Sequence, residues 1–99
     1  MNVNINSVHF DADGKLINQI ENKISKLDHF HGKITNVNVY LKLDNLVHNI
    51  KDKVVEIKVM VPKHEFFVKQ TSKTFEQSFE RAMQAVLSQM KRKKERLAA

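Results

Sequence analysis

The sequence predicts an α+β domain in the order β-α-β-β-β-α: a four-stranded mixed sheet with two helices packed on one face. Three observations predict it. Apolar and polar residues alternate with period 2 in three separate segments, as in strands buried on one face only. Two further segments repeat apolar residues at helical spacing. The first helix lies between two strands, so that connection should be a right-handed crossover between parallel strands, while the later strands follow as an antiparallel meander. Because the sheet has one dry face, both helices should cover that same face.

Val3 and Ile5 alternate with Asn2, Asn4 and Asn6, giving the first strand. Asp11-Ala12-Asp13-Gly14 then offers a helix N-cap and first-turn acids. Leu16, Ile17, Ile20, Ile24 and Leu27 form the stripe of the first helix, with Lys15, Glu21, Lys23 and Lys26 on its wet side. The helix should end near Phe30-His31-Gly32, where glycine supplies the stop. Val37, Val39, Leu41 and Leu43 alternate with Asn38, Tyr40 and Lys42 in the second strand. Residues 44–53 are polar and read as a long connection. Val55, Ile57, Val59 and Val61 alternate with Glu56, Lys58 and Met60 in the third strand, and Pro62-Lys63-His64 is a turn. Phe66, Phe67 and Val68 make a short fourth strand whose facing stays open, because both phases contain a phenylalanine. Thr71, Ser72 or Thr74 caps the last helix; Thr74 has Gln77 at capping-box spacing. Phe75, Phe79, Met83, Val86 and Met90 form its apolar stripe, and Leu87 beside them widens it.

The 99 residues make one domain (1–99), and 91–99 reads as a basic C-terminal extension of the last helix. Residues 1–90 carry 12 Lys/Arg and 10 Asp/Glu, whereas 91–99 carry five and one, so two thirds of the net +6 sits at one end. A localised basic patch is the electrostatic footprint of a polyanion partner, although cations also suit a helix C-terminus without any partner. Lys23 and Lys26 are neighbours on one side of the first helix; Lys33, Lys42 and Arg81 add to them. With the tail's Lys91, Arg92, Lys93, Lys94 and Arg96, the wet sides of both helices would form one basic surface able to hold phosphates without reading bases. An α-β-β-β-α core that recognises RNA by shape is a known solution, so the expected fold is double-stranded-RNA-binding-domain-like.

No catalytic chemistry is legible. The chain has no cysteine. His29 and His31 are two apart and do not share a helical face; no histidine spacing suits zinc, so no metal is expected. Asp11 and Asp13 read as helix-start acids, and two glycines form no phosphate-cradling loop. No catalytic residue, cofactor or small-molecule substrate follows. The first residues carry no basic or apolar leader pattern, and no run reaches the ~20 apolar residues of a membrane span. Tyr40 is the one aromatic placed on the wet sheet face, where a single aromatic is more simply a cross-strand packing residue than a base-stacking platform.

The residues also resemble a known family. Val8-His9-Phe10-Asp11-Ala12-Asp13 leading to Lys23, Lys26, Leu27 and Phe30, then Val37, Val39, Leu41 and Lys42, then Thr71-Ser72-Lys73-Thr74-Phe75 running into Gln89-Met90-Lys91-Arg92-Lys93-Lys94-Glu95-Arg96-Leu97, together look like the ribosome hibernation-promoting factors, also called ribosome-associated inhibitors. The resemblance implies a non-enzymatic cytoplasmic protein that binds the small ribosomal subunit and its rRNA in the mRNA/tRNA channel. It also implies that initiation is blocked and idle ribosomes are preserved in starvation or stationary phase. By position it implies rRNA contacts at Lys23, Lys26, Lys33, Lys42, Lys91, Arg92 and Lys94. Long members add a C-terminal domain that pairs ribosomes; ending after the last helix, this chain resembles the short type and is expected to be a monomer when free. It departs from the family in the middle of the last helix, where Gln84-Ala85-Val86-Leu87-Ser88 replaces a charged stretch and shifts weight to the tail.

Two other readings stand beside this one. A generic double-stranded-RNA binder would take any long duplex. A protein–protein module using Leu87, Met60 and the wet sheet face would bind with little salt dependence.

Overall fold

The computed structural model describes residues 1–30, 33–45 and 51–98, without the side chains of 30, 45, 51 and 94–98. The elements are β1 (Asn2–Val8), α1 (Gly14–Ser25), α2 (Leu27–Phe30), β2 (Asn36–Asn45), β3 (Lys51–Val61), β4 (His64–Ser72) and α3 (Phe75–Ala98). The sheet order is β1-β2-β3-β4, with β1 parallel to β2 and the other neighbours antiparallel, as the crossover argument requires.

Alternation decides which side chains go inside. Val37, Val39 and Leu41 of β2, Val55, Ile57 and Val59 of β3, and Phe66 and Val68 of β4 are all buried on one face. Leu16, Ile20 and Ile24 of α1 and Phe79, Ala82, Met83, Val86 and Met90 of α3 close over them in a single core. Each such aliphatic side chain contributes roughly 1.5–3 kcal/mol on burial. Leu87 is half-buried against this core and widens the helix stripe. The sheet's other face has no helix on it: Asn38 and Tyr40 of β2, Lys58 and Met60 of β3 and Phe67 of β4 lie there by parity.

Three boundaries differ from the sequence expectation. The first helix tightens at Lys26, whose N–H reaches the Lys23 carbonyl at 3.2 Å, and the chain makes the separate short turn α2. That turn places Leu27 in the core at 1% exposed. The glycine expected to stop the helix, Gly32, lies outside the described residues. The polar segment 44–53 is not all connection: β2 runs to Asn45 and β3 starts at Lys51, through pairs Leu43↔Lys53, Asp44↔Asp52 and Asn45↔Lys51. Ladder hydrogen bonds belong to the backbone, so pairing continues where the side chains stop alternating. β4 is longer than expected, running from His64, read as part of the turn, to Ser72, and the facing left open is decided: Phe66 faces the core and Phe67 is 48% exposed on the opposite face.

Local caps follow the residue types. Asp13 is extended, and its carboxylate accepts from Lys15 N–H at 3.2 Å at the start of α1. Of the three candidates before the last helix, Thr74 is the cap: its hydroxyl accepts from Gln77 N–H at 3.1 Å. Ser78, fully buried one turn later, donates to the Lys53 carbonyl at 2.5 Å and sits 2.8 Å from the Ser72 hydroxyl, tying α3 to β3 and β4. Phe10 stacks on Phe75 at 5.2 Å between centroids, pinning the β1–α1 connection to the start of α3.

Candidate nucleic-acid interface

The basic residues predicted from sequence fall in separate places. Lys23 and Lys26 lie along a groove between α1 and the first turns of α3, floored by Leu16, Ile20 and Phe79. Lys23 Nζ sits 2.6 Å from Glu80 Oε2 across that groove. Glu76 and Glu80 line the same groove, so the surface between the helices carries both signs rather than one continuous basic field. Lys33 is exposed in the turn that leads to β2.

Lys42 is on the other side of the molecule. Its position in β2 faces the helix-free side of the sheet, where its Nζ lies 2.9 Å from Glu56 Oε2 and 5.9 Å from the Tyr40 ring centroid. The cation covers part of the ring, which fits Tyr40 as a packing residue within the face. Lys58, two ranks along, pairs with Glu65 at 3.4 Å. Once the parity of β4 is known, this face carries Lys42, Lys58 and Lys69 against Asp44, Asp52, Glu56 and Glu65. It has no positive excess. Most of the chain's net +6 therefore resides in the helices and turns.

The third group is the end of α3. Met90 is buried at 1%, and after it Lys91 and Arg92 are exposed and Lys93 is half-exposed. The side chain of Lys94 lies outside the described residues. None of the ion pairs among the described residues involves Lys91, Arg92 or Lys93. From Glu80 to Lys91 is eleven residues of helix, ~16 Å along its axis. The α1 cations and the tail cations are thus two patches on the helix side, with Lys42 behind the sheet. The sequence reading did not single out Lys58 and Lys69 or the acids that balance them; alternation through β3 and β4 was the signal, and it needed the facing of Phe66 and Phe67.

Among the described residues no group of three or more histidines, aspartates or glutamates could hold a metal ion, and no helix is long and apolar enough to cross a membrane. What the surface presents is an α+β frame carrying exposed cations on its helix side and at one helix end, and that defines a small charged α+β domain. The chain belongs to the sigma 54 modulation protein / S30EA ribosomal protein family, whose sequence profile matches residues 3–98. The fold is also that of a ribosomal subunit interface protein from Coxiella burnetii, at 17% identity and a TM-score of 0.83, covering 95% of this chain and 98% of that one. The N-terminal domain of Thermus thermophilus Protein Y is similar at 20% identity and a TM-score of 0.76, covering 93% of this chain and 98% of that one. Comparison with curated protein sequences gives no match.

Proposed function

We propose that this protein is a ribosome hibernation factor: a single, non-enzymatic, cytoplasmic domain that binds the small ribosomal subunit in the mRNA/tRNA channel, blocks initiation and preserves idle ribosomes in starvation or stationary phase. Membership of the S30EA ribosomal protein family across residues 3–98 carries the reading. The distribution of cations supports it. Lys23 and Lys26 in the α1–α3 groove, Lys33 before β2, Lys42 on the helix-free face and Lys91 to Lys93 at the end of α3 lie on several sides of the domain. A flat duplex meets one face of a small domain, whereas a channel lined with phosphate surrounds it. Occlusion needs no chemistry beyond positioning, and phosphate contacts position without reading sequence.

The test is co-sedimentation of the purified protein with bacterial ribosomes at low and moderate salt, with and without excess tRNA and mRNA. Migration with small subunits and intact ribosomes, and displacement by tRNA plus mRNA, is the expected result. With 6–8 phosphates contacted, affinity falls by roughly two to four orders of magnitude between about 50 and 200 mM salt. Protein left at the top of the gradient at both salts would overturn the proposal. Equal binding to any long RNA duplex would point to the generic double-stranded-RNA reading instead.

A further inference from the structure

Two anchors fix the course of α3. Near its start the buried Ser78 hydroxyl donates to the Lys53 carbonyl and sits 2.8 Å from the Ser72 hydroxyl. Further on, the Gln89 side chain donates to the Phe67 carbonyl at 3.3 Å. From Ser78 to Gln89 the helix advances ~16 Å, and from Ser72 back to Phe67 the strand covers the same ~16 Å. α3 therefore runs antiparallel along β4. Continued at that rate, Gln89 to Ala98 is ~13 Å of helix and Phe67 back to Lys63 is ~13 Å of chain. The basic end of α3 thus passes beside the β3–β4 hairpin as far as its tip. Arg92 and Lys93, three and four residues after Gln89, share the flank of the helix that Gln89 turns to β4.

The hairpin tip carries a cation of its own. Lys63 is exposed and is held at φ 66° directly after Pro62, a place in a turn that favours glycine or asparagine. Among the described residues no ion pair or hydrogen bond holds the side chain of Lys63, Arg92 or Lys93. The acid nearest the tip in β4, Glu65, is already engaged by Lys58 at 3.4 Å. Cations from two elements far apart in sequence therefore come together at one end of the sheet, and they select an anionic ligand. We propose that Lys63, with Arg92 and Lys93, forms a phosphate-binding site between the hairpin tip and the end of α3. Lys63 is then an RNA-backbone contact additional to the cations of α1, β2 and the tail. Such a contact fixes the domain's orientation on the RNA without reading bases. A backbone conformation that costs stability is kept at a lysine because its side chain has a task there. The inference rests on the ribosome reading for its partner, the rRNA.

The test measures affinity for bacterial ribosomes at several salt concentrations for the wild type, Lys63→Gln, Lys63→Arg and Lys15→Gln. Lys15 is an exposed cation at the opposite end of the domain, where Phe10 of the β1–α1 connection stacks on Phe75 at the start of α3. Lys15→Gln removes the same charge without touching the hairpin. In Lys63→Gln the expected result is an affinity lowered roughly twofold to fivefold at low salt, and a slope of log affinity against log salt lower by ~1. Lys63→Arg should keep the wild-type affinity and slope, and Lys15→Gln should keep the slope. A wild type that binds ribosomes while Lys63→Gln matches it in affinity and slope overturns this inference alone. So does an equal loss in Lys15→Gln, which would make the effect one of net charge, or a Lys63→Arg chain that binds as weakly as Lys63→Gln. A wild type that fails to bind ribosomes at any salt overturns the ribosome reading, and this inference with it.

Discussion

Lys23 Nζ and Glu80 Oε2 lie 2.6 Å apart, linking the last turn of α1 to the second turn of α3. Both side chains are about half exposed, at 49% and 53%, so the pair contributes little to stability. Its importance is electrostatic: Glu80 occupies a cation that the proposed function assigns to phosphate. Glu80→Gln should leave stability within ~0.5 kcal/mol by denaturant unfolding and tighten ribosome binding in co-sedimentation. Weaker binding in Glu80→Gln would mean that the pair holds Lys23 in its binding position.

The tail makes the larger electrostatic difference. Lys91 and Arg92 are exposed beyond the last buried residue of α3, Met90. Replacing Lys91, Arg92, Lys93 and Lys94 together by Gln should leave thermal unfolding near wild type. If all four contact phosphate, the slope of log affinity against log salt should fall by ~3–4. Unchanged ribosome affinity and slope would reduce the tail to a solvated helix end that suits the helix dipole.

Phe66 and Phe67 are neighbours in sequence with opposite environments, 4% and 48% exposed. Phe66→Ala empties a site in the core beside Val59 and should cost ~3–5 kcal/mol. Phe67→Ala should cost under ~1 kcal/mol. Chemical denaturation of the two variants measures both; equal losses would contradict the facing of β4.

The β3–β4 turn carries a local conformational cost. Lys63 has φ 66°, in the left-handed region, directly after Pro62. Left-handed backbone costs an L-residue roughly 1–2 kcal/mol, and glycine avoids that cost at some loss of unfolded-state entropy. Lys63→Gly should therefore raise stability by ~0.5–1 kcal/mol, read as a higher denaturant midpoint with an unchanged slope. A destabilised Lys63→Gly chain would show that the lysine side chain holds the turn.

Much of the architecture was legible because it depends on periodicity. Val37, Val39 and Leu41, the Leu16–Ile20–Ile24 stripe and the Phe79–Met83–Val86–Met90 stripe name their own buried faces, and the crossover rule then orders the strands. The concentration of charge after Met90 was equally a property of the chain. Long-range pairing was not. The extension of β2 and β3 through Asp44 and Asp52 is carried by backbone bonds that no side chain announces. The facing of Phe66 against Phe67 is set by register with β3. That Lys23 finds Glu80, 57 residues away, that Lys42 finds Glu56, and that Ser78 is buried on the Lys53 carbonyl are likewise decided by how helices and strands are placed together. Sequence by itself determined which residues seek the core and where positive charge accumulates, because those follow from local pattern and composition. Only the tertiary structure decided which cations are already partnered and which gather beside the β3–β4 turn, because both depend on contacts between residues far apart in the chain.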